Sequence, residues 1–140
     1  MPQVTQFIRE ATDDLARQGY GSSLEGVFWH TGENGTHLTP WQRNYADGMR
    51  RLFAQVRLDL KIQAPPWLIS EQHPAAIWKN VAETNRTLRT WARTETGVFM
   101  FPTSHMPYQQ THFGTQGTLL LGEELAKAYW QQQQRRTARP

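Results

Sequence analysis

Cysteine is absent from the chain, which excludes disulfides and thiolate chemistry and is compatible with any compartment. Long apolar runs are missing as well, and none approaches the length of a membrane span. The N-terminus has no apolar signal core and instead carries Glu10, Asp13 and Asp14 near its start, which argues against a signal peptide in this chain. Also lacking is a cluster of Lys and Arg interleaved with aromatics, the footprint of a nucleic-acid-binding face. The formal charge of +3 is matched by Arg135, Arg136 and Arg139 in the last ten residues, so the body before them is near neutral.

What is present is bulk for a core. Hydrophobic residues make up 38% of 140 residues, including 6 Trp, 6 Phe and 4 Tyr, enough for one folding unit and too few for two. Val4, Phe7, Ile8, Ala11 and Leu15 follow helical spacing until Gly19-Tyr20-Gly21 stops them. Leu24 to His30 reads as a buried strand that runs into the polar loop Thr31-Gly32-Glu33-Asn34-Gly35. Thr39 to Leu60 repeats Tyr45, Met49, Leu52, Phe53, Val56 and Leu60 at helical period, with Thr39 as a candidate cap and Pro40 in the first turn.

Pro65-Pro66 then leads to a strand at Trp67–Ser70, a helix over about Ala75 to Arg93, a strand at Gly97–Phe101, a loop from Thr103 to Thr118 and a last helix over Leu119 to Trp130. Trp78, Trp91 and Trp130 fall at core spacing on these helices. Residues 1–130 form the expected domain, and the polar, basic 131–140 reads as a disordered tail. Strands alternating with helices, and apolar enough to be covered on both faces, predict an α/β three-layer sandwich around a small parallel sheet. Polar sites in such folds gather beyond the carboxyl ends of the strands.

Two loops there carry the chemistry-bearing residues: His30 to His37 after the first strand, and Ser104-His105 through Gln110-Thr111-His112-Phe113-Gly114 after the third. A carboxylate and an imidazole meeting at that edge make a base and its orienting partner. Loop histidines also commonly serve only local backbone or solvent.

Gly26-Val27-Phe28-Trp29-His30-Thr31-Gly32-Glu33 resembles the strand-plus-loop block of the sialate O-acetylesterase and acetylxylan esterase branch of the SGNH hydrolases, a block written as Trp, any residue, Gln, Gly, Glu. Thr111-His112-Phe113-Gly114, with Gly117 and then Leu121-Gly122, is similar to the last block of that family, where an Asp stands three residues before the histidine. The resemblance covers nearly the whole chain as the C-terminal portion of a flavodoxin-like SGNH hydrolase. It implies that His112 is the general base and acid and that Glu33 orients it. It places Thr31 where the family has its oxyanion Gln, with the Gly32 backbone beside it, and Gln109 where the family has its Asp. Asn34, Trp41 and Tyr108 are the candidate substrate contacts. The implied activity is hydrolysis of a carboxylic ester, an O-acetyl group on a carbohydrate, without metal or organic cofactor.

The family's nucleophile lies in a Gly-Gln-Ser or Gly-Asp-Ser block, and none exists in these 140 residues. Ser22 and Ser23 precede the first strand, and Ser70 and Ser104 follow later ones. The resemblance therefore implies a serine supplied by an upstream segment or a second chain, and a sheet edge left open by the missing strands. Two other readings stand beside it. His30, Glu33 and His37, joined by His73, His105 and His112, are metal-ligand types, but without a helical HExxH spacing. A non-catalytic glycan-binding or assembly scaffold would use Trp41, Tyr108 and Phe113 as stacking surfaces.

Overall fold

The computed structural model describes residues 2–30, 39–61 and 65–137; of residues 2, 39–43 and 135–137 it describes the backbone alone. Helix α1 spans Pro2–Arg17. It ends because Gly19 takes φ +83°, which lets the Tyr20 amide donate to the Leu15 carbonyl (2.9 Å) and the Gly19 amide to that of Ala16 (3.0 Å). These two bonds satisfy carbonyls that the helix end would otherwise strand. Strand β1 is Val27–Trp29, shorter than the apolar stretch that encodes it. Helix α2, Thr39–Leu60, has the bounds its periodicity predicts, as does strand β2, Trp67–Ser70.

Helix α3 is Val81–Thr94 rather than Ala75 to Arg93. Its apparent first turn is instead a turn closed by the Ala76 amide on the His73 carbonyl (3.0 Å), and Ile77 lies exposed. Strand β3 is Val98–Phe101. Helix α4 spans Thr115–Thr137, longer at both ends than Leu119 to Trp130. The glutamine run at 131–134, read from composition as disordered, continues the helix, since Gln tolerates helical geometry well. Its inward face is set by Leu121, Leu125, Ala128 and Gln132, three and four residues apart, which turns Trp130 outward at 63% exposure rather than into the core.

The sheet is parallel, in the order β1-β2-β3, with Val27 opposite Trp67 and Trp67 opposite Val98. Alternate side chains sort to its two faces. Val27, Trp29, Trp67, Ile69 and Val98 meet Met49, Phe53 and Val56 of α2 and Leu88 and Trp91 of α3. At the centre Trp67 stacks on Trp29 (5.9 Å between ring centroids) and takes the edge of Phe53 (5.4 Å). Trp29 keeps its indole N–H satisfied by donating to the Tyr45 hydroxyl (3.1 Å). On the opposite face α4 covers Phe101 and Met106 with Leu121, and Tyr129 meets the edge of Phe28 (6.2 Å). The three layers of the α/β sandwich follow directly from this sorting.

Candidate active site

Parallel strands point all their carboxyl ends at one sheet edge, so His30, Ser70 and Phe101 arrive there together. His30 Nδ1 and the Ser70 hydroxyl share a hydrogen bond of 2.5 Å. The His30 ring also packs on Phe113, with centroids 5.4 Å apart. That contact matters because His30 directly precedes the Thr31-Gly32-Glu33 block and Phe113 directly follows His112. The ends of the two sequence blocks are thereby neighbours.

The segment after β2 forms a rigid floor. Asn85, buried on α3, donates to the Gln72 carbonyl (2.8 Å) and accepts from the Gln72 amide (2.9 Å). The buried Thr103 hydroxyl donates to the Glu71 carbonyl (3.3 Å). The Glu71 carboxylate takes both arms of the Arg89 guanidinium, each at 2.6 Å, a fork geometry that fixes both groups and holds the guanidinium pKa above its usual value. Buried backbone groups here are thus paired rather than left to solvent.

His73, next along that floor and only 7% exposed, is held on every side. Its Nδ1 accepts from the Ala75 amide (3.1 Å), which leaves Nε2 to carry the proton and donate to the Met106 carbonyl (3.2 Å). Its ring stacks on Tyr108, 4.3 Å away and 5° from parallel, and meets Phe113 edge-on at 5.8 Å. Burial pushes its pKa below the ordinary 6.5, against a smaller opposite pull from the Met106 carbonyl. His73 is therefore a neutral strut between the β2 floor and the loop that follows β3, and neither ring nitrogen is left for a metal.

That loop ends in a four-residue turn. The Gln109 amide donates to the His112 carbonyl (2.9 Å) and the His112 amide to that of Gln109 (3.0 Å). Gln110 sits at its tip with φ +50°, and the Tyr108 hydroxyl donates to the Thr111 carbonyl (2.5 Å). The side chain of Gln109 lies over Gly114, so close that a Cβ there would fall 2.7 Å from its amide nitrogen. Gly117, in the first turn of α4, has Pro107 and Phe113 pressed against it with no room for a methyl group. The glycines thus let the turn lie on the helix start, with His112 exposed to solvent.

Of the residues singled out from sequence, Gln109 and His112 pair through their backbones, and Tyr108 is half-buried in the aromatic cluster. Thr31, Gly32, Glu33 and Asn34 lie outside the described residues, and for Trp41 only the backbone, in the first turn of α2, is described. Among the described residues no three His, Cys, Asp or Glu side chains gather into a metal-binding group. No helix among them is long and apolar enough to cross a membrane. Sequence reasoning missed the structural parts played by Ser70 and His73. Their position, at and just past the carboxyl end of a fully buried strand, was the available signal.

Neither a curated protein nor a solved structure matches the chain. The family model described as carbohydrate esterase, sialic acid-specific acetylesterase, does match, over residues 3–131. That span holds every described strand, the His30–Phe113 contact and the turn that carries His112, so the chain belongs to the sialic acid-specific acetylesterase family of carbohydrate esterases.

Proposed function

We propose that this chain carries the acid–histidine part of a serine-type acetylesterase acting on O-acetylated carbohydrate, and that the nucleophilic serine comes from outside these 140 residues. The observation that carries the reading is the packing of His30, which directly precedes the Thr31-Gly32-Glu33 block, on Phe113, which directly follows His112, at one sheet edge. In this scheme His112 takes the serine proton as its oxygen attacks the acetyl carbonyl, then returns it to the departing sugar hydroxyl. Glu33 holds the ring and stabilises the imidazolium. Thr31 and the Gly32 amide receive the oxyanion, Gln109 acts as an auxiliary group beside His112, and Asn34, Trp41 and Tyr108 contact the sugar. Water then releases acetate by the same base catalysis.

Three of the four serines inside the chain suit the nucleophile role poorly, and Ser104 lies exposed in the loop after β3. Ser70 is buried and bonded to His30, and Ser22 and Ser23 precede β1 at the other end of the strand. Intact-mass analysis after exposure to a fluorophosphonate serine-hydrolase probe, with the chain alone and with co-purifying protein, tests the assignment. Labelling of a partner and not of the chain is the expected result. A labelled serine on the chain itself overturns it.

A further inference from the structure

Strand β3 forms one margin of the described sheet and is bonded to β2 alone. Along that margin runs a cavity of about 440 Å³, a size usual for small-molecule sites. Its floor is Val98–Phe101; α3 lines one side with Arg89, Ala92 and Arg93, and α4 the other with Ala128, Gln131 and Gln132. The cavity follows the lateral edge of the sheet, whereas His30 and Phe113 meet beyond the carboxyl ends of the strands.

The ladder decides what the floor can bond. In a parallel pair, alternate residues of a strand turn both backbone groups to the same neighbour. The Gly97 carbonyl accepts from the Trp67 amide (2.7 Å) and the Phe101 carbonyl from the Glu71 amide (3.0 Å), so Gly97, Phe99 and Phe101 face β2. Val98, Met100 and Pro102 therefore face away from it. Of their three nitrogens only that of Met100 is an available donor, because the Val98 amide already donates to the Glu95 carbonyl (3.3 Å) and proline has no N–H. An added strand would need a longer run of alternating donors and acceptors than this edge has. One N–H between the Val98 and Met100 carbonyls suits a small molecule instead.

The walls name the chemistry of that molecule. Gln132 is only 7% exposed, yet its side-chain amide has no hydrogen bond among the described residues. A buried amide in that position is costly until something in the cavity bonds it. Arg93 is exposed and also has no ion pair or hydrogen bond among the described residues. Arg89, one turn earlier on α3, is neutralised by its fork with Glu71. The lining thus carries the single positive charge of Arg93, which matches one carboxylate. Ala92 and Ala128 keep the two facing walls low and apolar between these polar groups.

We infer that this cavity is a binding site for a small organic monocarboxylate that has hydroxyl or amide groups beside the acid. The carboxylate takes the Arg93 guanidinium, and the Met100 and Gln132 amides donate to further oxygens of the ligand. Ligand O–H or N–H groups donate to the Val98 and Met100 carbonyls, and its carbon atoms rest on Ala92 and Ala128. The site is separate from the acid–histidine edge and stands whether or not the serine comes from outside the chain.

Nuclear magnetic resonance titration of the nitrogen-labelled chain tests it. The probes are D-glucuronate and N-acetylglycine, which place hydroxyls and an amide beside a carboxylate, with acetate and D-glucose as the acid and the hydroxyls alone. At least one of the first two should shift the Met100 backbone amide and the Gln132 side-chain amide with a Kd on the order of 1 mM, roughly fivefold or more tighter than either control. Arg93→Gln, on an exposed position, should keep the spectrum of the folded chain and weaken that binding roughly tenfold. Gln132→Met, which keeps the bulk and removes the amide, should weaken it as well. No shift at Met100 with either probe overturns the site, as do shifts confined to His30 and His112 or binding that Arg93→Gln leaves intact. Equal affinity for acetate overturns the class of ligand.

Discussion

The ring of His73 lies flat on the ring of Tyr108, 4.3 Å away and 5° from parallel, while both of its nitrogens are bonded to backbone. One imidazole thereby joins the floor after β2 to the loop after β3. Replacing it with a ring that keeps the stacking but has no nitrogens separates the two contributions. His73→Phe leaves the Ala75 amide and the Met106 carbonyl without partners and should cost about 2–4 kcal/mol. Hydrogen exchange should show the loss as faster opening of residues 103–113, with α2 and α3 unaffected.

The same histidine makes stability depend on pH. Its folded pKa is lowered by burial, so the unfolded chain binds its proton more readily. Its contribution is whole above the ordinary value of 6.5 and is lost as pH falls through the depressed folded value. Protonation of Nδ1 would remove the acceptor of the Ala75 amide. Denaturant midpoints across that acid limb should fall for the wild type and flatten in His73→Phe; parallel slopes would assign the limb to other groups.

Gly117 is the second fixed point of the loop. A methyl group there meets the Pro107 carbonyl and would sit 2.8 Å from Cδ1 of Phe113. Gly117→Ala should destabilise by about 1–3 kcal/mol, although alanine favours helices, because the backbone carbonyl has little room to yield. Ring-current shifts of Phe113 and His30 should move with it. A more stable variant would show that the loop does not press on α4 as described.

Gln110 holds φ +50° at the tip of the turn, a region that suits glycine better than glutamine. Gln110→Gly should raise stability by about 0.5–1 kcal/mol, read as a higher urea midpoint at unchanged slope. A lower midpoint would mean that the Gln110 side chain holds the turn by itself.

Activity, measured with the source of the serine present, tests the proposed pairing of Glu33 with His112. His112→Ala should abolish deacetylation, and Glu33→Gln should lower kcat by about four orders of magnitude if Glu33 alone orients the ring. Wild-type turnover of an O-acetylated sugar by His112→Ala would remove His112 from the mechanism.

Much of the architecture was legible because local pattern and tertiary packing agree. The positions that give α2 its period, from Tyr45 to Leu60, are the ones that meet the sheet, and the apolar Trp67-Leu68-Ile69 that follows Pro65-Pro66 is, with Ser70, buried throughout. The pattern failed where an apolar residue has a second use. Ile77 continues the period of α3 backwards, yet it belongs to the turn closed on His73. Trp130 falls at plausible spacing but outside the stripe that Leu121 and Gln132 define. At the site, the order of the strands put His30 and the loop carrying His112 beyond the carboxyl ends, where His30 meets Phe113, while Thr31 to Asn34 lie outside the described residues. The His73 strut was not legible, since its partners are two backbone groups and two rings far along the chain, which periodicity does not encode.

The order β1-β2-β3, identical in sheet and in sequence, bears on how the chain folds. Every strand pairs with the next one made, so loop closure is confined to single strand–helix–strand units and the relative contact order stays low for a parallel sheet. Within the described sheet the order of synthesis, β1 then β2 then β3, is thus also the order of pairing, and each strand finds its partner one strand–helix–strand unit away.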